Sequence, residues 1–189
     1  MSQTKQRCFW VGENKPFYER YHDEEWGRPV HDDKIHFEFL ILEGAQAGLS
    51  WETILKRRNG YRKAFANFNP NKVAQFDKKK IAALLKDPGI IRNRLKVNAA
   101  VTNAQNFLLV QKEFGSFSKY IWSFVNNKTI VNRPRSRKEY KATSPESDAL
   151  SADLKKRGFK FVGSTIMYAH MQATGLIDDH MAHCFRAKK

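Results

Sequence analysis

Apolar residues recur along this chain at spacings of three and four, and sustained alternation is missing, so the pattern predicts helices rather than strands. Asp32 or Asp33 can cap a helix through Ile35, Phe39, Leu40 and Leu42, and Ser50 can cap a second through Ile54 and Leu55. Asn69 followed by Pro70 has the form of an N-cap with proline at the first helical position, and Asp77 can cap Lys78 to Lys86. From Ile91 a longer helix is predicted, with Val97, Ala100, Val101, Ala104, Phe107 and Leu108 on its apolar face and Gly115 at its end. Ser116 opens a segment holding Phe117, Tyr120, Ile121 and Phe124. Residues 126–143 are polar and basic, contain Pro134 and keep no period, which predicts an exposed, irregular connection free to move. Helix resumes near Pro145, passes Leu150 and Leu154 and stops at Gly158, and a last one spans Ser164 to Thr174 before Gly175. The predicted fold class is all-α, built from many short helices.

At 189 residues the chain has the length of one domain, and 41% hydrophobic with 13% aromatic content excludes intrinsic disorder. Charge narrows the choice of partner. Lys plus Arg exceed Asp plus Glu to give +15, which points to a phosphate-bearing polymer, with anionic lipid as the competitor. Aliphatic runs such as Ile81 to Leu85 fall far short of the roughly 20 residues a membrane-spanning helix needs. Residues 1–8 lack the apolar stretch of a secretory signal, so a cytoplasmic location is expected, and the chain is expected to be a monomer.

Three sets of residues carry candidate chemistry. The first is Leu84 to Arg94, which reads as helix, tight turn at Pro88-Gly89, and helix. A tight turn at Gly89 would aim the free amides of the second helix at an anion such as a DNA phosphate, with Arg92, Arg94 and Lys96 reinforcing the contact. An ordinary helix corner with solvated basic residues is the alternative. The second set is Cys and His. Two cysteines allow one bridge, two free thiols or two metal ligands. His180 and Cys184 lie four apart, and with Cys8 and His22 they could make the Cys2His2 set of a structural zinc, joining the two ends of the chain. His183 is a rival ligand, and His31, His36 and His170 have no paired signal. The third set starts at Glu43, an acid closing the run Phe39 to Leu42, where it needs a partner, solvent or a ligand. A small-residue segment, Gly44 to Gly48, leads from it to Trp51. Trp10, Tyr18, Tyr21 and Trp26 form a second aromatic group near Cys8 and His22. Aromatics at such positions are more often core than ligand platform.

Taken in order, the strings Cys8-Phe9-Trp10-Val11, Tyr21-His22-Asp23-Glu24-Glu25-Trp26-Gly27, Leu42-Glu43-Gly44-Ala45-Gln46-Ala47-Gly48-Leu49-Ser50-Trp51, Trp122-Ser123-Phe124-Val125, Lys155 to Gly163 and Asp179-His180-x3-Cys184 resemble bacterial 3-methyladenine DNA glycosylase I over nearly the whole chain. The resemblance implies a helix-hairpin-helix DNA glycosylase fold in one domain, 1–189. Its lobes would be 30–125, bearing the hairpin, and 1–29 with 126–189, bearing the zinc. It implies one structural Zn2+ on Cys8, His22, His180 and Cys184, joining the N- and C-terminal segments. It implies that Glu43 is the catalytic or base-pocket acid, that Trp51, Tyr21, Tyr18 and Trp10 bind the base, and that Leu49, between Gly48 and Ser50, enters double-stranded DNA beside the vacated position. The expected partner is therefore duplex DNA with alkylated bases, and the expected reaction is monofunctional release of 3-methyladenine without strand cleavage. Ala45 and Phe9 depart from the family's common Gln and Gly. A DNA-binding module without activity and a zinc-stabilised RNA-associated protein are the competing readings.

Overall fold

The computed structural model describes residues 5–188. Among them are nine α-helices: α1 (Pro16–Glu24), α2 (Asp33–Gln46), α3 (Trp51–Ala64), α4 (Pro70–Val73), α5 (Lys78–Leu84), α6 (Arg94–Phe114), α7 (Phe117–Ser123), α8 (Pro145–Lys156) and α9 (Ser164–Ala173). Most begin where the sequence places a cap. Asp32 accepts from the amides of Lys34 and Ile35, Ser50 from Thr53, Asn69 from Lys72, Asp77 from Lys80 and Ser116 from Lys119. Ser144 and Ser147 form a reciprocal capping box on α8. Such a cap is worth about 1 kcal/mol.

The central element is α2. Ten of its fourteen residues are buried, because it divides two apolar clusters and has no solvent face along most of its length. Phe37, Leu40 and Leu42 join a larger core with Ile54, Phe107, Phe117, Leu150, Leu154 and Met167. Phe39 instead faces a smaller cluster of Cys8, Tyr21, Trp26, Met181 and Cys184. Burying one such aromatic or aliphatic side chain contributes roughly 1.5–3 kcal/mol. Helices α3, α6, α7 and α9 all pack on α2, so elements from both predicted lobes meet there.

Three regions differ from the sequence-based expectation. Helix α5 ends at Leu84 rather than Lys86, and α6 begins at Arg94 rather than Ile91, because the Asn93 side chain accepts from the Lys96 amide and sets the start there. Helix α1 has no predicted counterpart: only Tyr21 and His22 are buried on it, so it shows no apolar stripe. Residues 126–143 are not merely an exposed connection. Pro134 is buried, and Ile130–Val131 pairs in parallel with Ile177–Asp178, with Ile130 opposite Ile177. The fold is thus mostly helical with one two-residue strand pair, too short to leave an alternating pattern.

Candidate active site and metal cluster

The junction between α2 and α3 sets two side chains to work in opposite directions. Gly48 adopts a left-handed conformation, φ 78°, which turns the chain out of α2. Leu49 follows, 42% exposed, and Ser50 caps α3, whose first residue is Trp51. Leu49 therefore projects to solvent while Trp51, two residues on, lines a cavity.

That cavity has a volume of about 340 Å³, and its wall includes Trp10, Tyr18, Tyr21, Trp26, Glu43 and Trp51. The rings support one another: Trp51 stacks over Phe39 at 6.3 Å and meets Tyr21 at 5.7 Å, while Trp10 packs edge-on against Trp26 at 5.0 Å and Tyr18 at 5.7 Å. The indole Nε1 of Trp51 is buried without a partner. Every base-pocket residue expected from the sequence thus reaches one cavity. Phe9, Gln46, Tyr140, Lys141, Ala169 and Gln172 complete the wall. The last four were not foreseen. Ala169 and Gln172 stand three apart on α9, one face of a helix, and Tyr140 and Lys141 come from the segment expected to be a free loop.

Glu43 is 3% exposed, and burial pushes its carboxyl well above the usual range. It is not a lone acid. Glu43 Oε2 lies 2.8 Å from His170 Nδ1, His170 Nε2 lies 3.2 Å from His36 Nδ1, and His36 Nε2 lies 3.0 Å from the Val30 carbonyl. Burial depresses both imidazoles to about 3. The sequence offered one clue to this chain: His170 sits in an otherwise apolar run, Met167 to Met171.

The second cluster joins the chain ends. Ligand atoms of Cys8, His22 and Cys184 all lie within 4.8 Å of one another, and all three residues are buried. His180 stands outside that tight trio, with its ring 5.1 Å from the His22 ring. Its Nε2 is buried and unpartnered. Both histidines are oriented alike. His22 Nδ1 faces Asp23 Oδ1 at 2.8 Å, and the Arg7 guanidinium holds Asp23 through two nitrogens; His180 Nδ1 faces Asp178 Oδ1 at 2.7 Å, with Arg133 on the other oxygen. A carboxylate behind each imidazole fixes the tautomer that leaves Nε2 free to ligate. Gly27, φ 74°, makes room: a Cβ there would lie 2.6 Å from His180 Cε1. Two thiols and two imidazoles so directed fit a tetrahedral zinc.

The hairpin differs from its predicted form. A Cβ on Gly60 would meet the Gly89 carbonyl oxygen at 2.2 Å, so the two glycines serve a backbone contact between α3 and the turn. The Gly89 amide donates to Asp87 Oδ1 at 2.7 Å and the Ile91 amide to the Tyr61 hydroxyl at 3.1 Å. Neither amide is therefore free for an anion. Lys96 is also turned inward, its Nζ donating to the carbonyls of Ala45 at 2.8 Å and Ala47 at 2.5 Å, which closes the C-terminal end of α2. Arg92 and Arg94 remain exposed.

A helical protein of net charge +15, with an aromatic cavity large enough for a nucleobase and a buried acid in its wall, has the features of a base-handling DNA protein. Comparison narrows the class. Residues 10–187 match the methyladenine glycosylase family model, and the chain belongs to that family. It is 47% identical over 179 residues to DNA-3-methyladenine glycosylase 1 of Escherichia coli (strain K12), covering 95% of each chain. It is 48% identical over 178 residues to the DNA-3-methyladenine glycosylase of Haemophilus influenzae, covering 94% of this chain and 96% of that one. The 3-methyladenine DNA glycosylase I of Staphylococcus aureus, solved to explain its recognition of 3-methyladenine, superposes with a TM-score of 0.93 at 39% identity, over 97% of each chain.

Proposed function

We propose that this protein is a monofunctional DNA-3-methyladenine glycosylase that binds alkylated double-stranded DNA and hydrolyses the N-glycosidic bond of 3-methyladenine. The observation that carries the reading is the placement of Glu43 and Trp51 in one aromatic cavity. A base in a duplex is out of reach, so it must be extruded at a cost of a few kcal/mol, least for a damaged and poorly stacked base. Leu49 enters the stack beside the vacated position, and its exposure next to Trp51 supports this role. Arg92 and Arg94 bind phosphates, Gly89 lets the turn pack closely, and Gly48 and Ser50 hold the Leu49 loop.

N3-methylation leaves the base cationic, which weakens the glycosidic bond and lets the base depart neutral. A cation over an indole gains about 0.5–2 kcal/mol, so Trp51 favours the methylated base, with Trp10, Tyr18 and Tyr21 enclosing it. Glu43, the one acid among the lining residues, accepts from the exocyclic amine and opposes the positive charge. Water attacks the sugar carbon. Cys8, His22, His180 and Cys184 would hold one structural Zn2+, which joins the chain ends and supports the wall bearing Trp10. The single domain, its two lobes, the helix-hairpin-helix character of α5 and α6, the monomeric state and a cytoplasmic location belong to the same reading.

The test is to incubate the protein with methylated DNA and follow free bases by chromatography. Release of 3-methyladenine, lost in Trp51→Ala and impaired in Glu43→Gln, supports the assignment. Tight DNA binding with every base intact would favour a non-catalytic module. Lys141 is the one amine lining the cavity; borohydride should trap no protein–DNA adduct, and a trapped adduct would make the enzyme bifunctional.

A further inference from the structure

We propose that His170, oriented by His36, is a positioning residue that takes the proton of Glu43 when a cationic base enters the cavity, so that the acid is neutral in the empty site and charged only against substrate. The proposal rests on the base-excision reading and deepens it. Its foundation is the direction of the hydrogen bonds. A carbonyl oxygen only accepts, so His36 Nε2, 3.0 Å from Val30 O, must carry hydrogen. Trp122 Nε1 donates to the same oxygen at 2.7 Å and holds it in place. Neutral His36 then presents the lone pair of Nδ1, and His170 Nε2 must donate to it across 3.2 Å. Only His170 Nδ1 is left to face Glu43 Oε2, at 2.8 Å. Two lone pairs cannot meet at that distance, so one proton lies between them, on oxygen or on nitrogen. Either way the pair as a whole is neutral.

Position and burial decide which. Glu43, His170 and His36 are 3%, 0% and 0% exposed, so the partner atom along the chain, rather than bulk water, is the proton's nearest acceptor. The titratable groups around the chain are Tyr21 of α1 beside Glu43, and Asp33 of α2 and His31 of the preceding segment toward His36. The Lys141 amine lines the same cavity, but burial alone accounts for the shifts of Glu43 and His170. Burial pushes the acid up and the imidazole down, which keeps the proton on Glu43 in the empty cavity. A cation in the cavity reverses the preference, because a carboxylate facing it is worth more than the cost of an imidazolium one residue further back. The Oε2–H bond then breaks and an Nδ1–H bond forms, with no proton exchanged with solvent. When the glycosidic bond cleaves, its electron pair neutralises the base, and the proton returns to Oε2. Substrate is thereby held by charge and product is not.

The consequence is a difference in pH dependence. In the wild-type protein, single-turnover release of 3-methyladenine from methylated duplex DNA should be flat between about pH 6 and 8. In His170→Gln the acid must lose its proton to solvent, so the rate should rise with pH over the same range. Adding Glu43→Gln should remove that slope. Equal pH profiles for wild type and His170→Gln would overturn the proposal. A readout without mutation uses the imidazole 15N shifts of His170 in the full chain. They should report a neutral Nε2–H ring in the free protein, the same ring with neutral 9-methyladenine, and an imidazolium with the 3,9-dimethyladeninium cation. A ring that stays neutral under saturating cation sinks the relay while leaving base excision intact. If the wild type neither releases base nor binds the cation, the excision reading falls and the relay with it.

Discussion

Two pairs of buried histidines, His22 with His180 and His36 with His170, use the same ring to opposite ends. In the first pair each Nδ1 is committed to a carboxylate, the Nε2 of His180 is buried with no protein partner, and His22 lies among the two thiols. In the second pair every ring nitrogen has a partner, and the chain closes on a carbonyl at one end and an acid at the other. Two thiols and an imidazole drawn that close together could hold an ion. A closed chain has room for nothing but a proton. The carboxylate neighbours make the difference: Asp23 and Asp178 are themselves held by Arg7 and Arg133 and stay charged, whereas Glu43 has no cation beyond the ring it shares.

The largest expected effect tests the first pair. Cys184→Ala should lose bound zinc and lower stability by about 4 kcal/mol or more, the scale of a lost structural metal, measured by elemental analysis and thermal unfolding. A metal-free wild type of unchanged stability would erase the contrast between the pairs. Trp51→Ala removes both stacking and the cation–π contact, together about 3 kcal/mol, so base release should fall on the order of 100-fold in single-turnover assays. Glu43→Gln keeps the shape but cannot bear charge, and should cost about 1.5–3 kcal/mol, or roughly 10- to 100-fold in base release.

Acid stability tests the second pair. Both His36 and His170 titrate near 3 in the fold against an ordinary 6.5, so the unfolded chain binds more protons and their contribution is lost as pH falls from 6.5 toward 3. Glu43 works the other way above 4.5, being protonated only in the fold, and offsets one of the two. The net from this chain is about one proton, or about 1.4 kcal/mol per pH unit, above 4.5, and steeper below it. Denaturant midpoints against pH should show the slope, and His36→Gln should flatten it. The smallest effect lies outside both pairs: Arg94→Ala should weaken binding to all duplexes alike and reduce the salt slope by about one. A loss confined to methylated DNA would mean that Arg94 reads the lesion rather than a phosphate.

What the chain revealed in one dimension was local. The caps at Asp32, Ser50, Asn69, Asp77 and Ser116 were legible because each is a bond to a backbone amide two or three residues away. Glu43 and Trp51 stood out because one helix end and one turn carry both, whereas Leu49 was named only through the family resemblance. Cys8, His22, His180 and Cys184 could be assembled as a composition, the family resemblance implied them as a ligand set, and the fold brings Cys8, His22 and Cys184 together. Helix α1 was not legible, since its residues are ordered by contacts of Tyr18, Tyr21 and His22 with Trp10 rather than by a stripe of their own.

Contacts between distant segments were decided only by packing. His36 and His170 are 134 residues apart and had no shared signal until α9 crossed α2. The hairpin glycine makes sense only against Gly60, and Lys96, a plausible phosphate ligand by its charge, is spent on the end of α2. Helical periodicity and capping follow from hydrogen bonds within a turn or so of backbone, so residue order contains them. The protonation state of a buried acid depends on which lone pairs the fold sets against one another, and that is a property of the folded core.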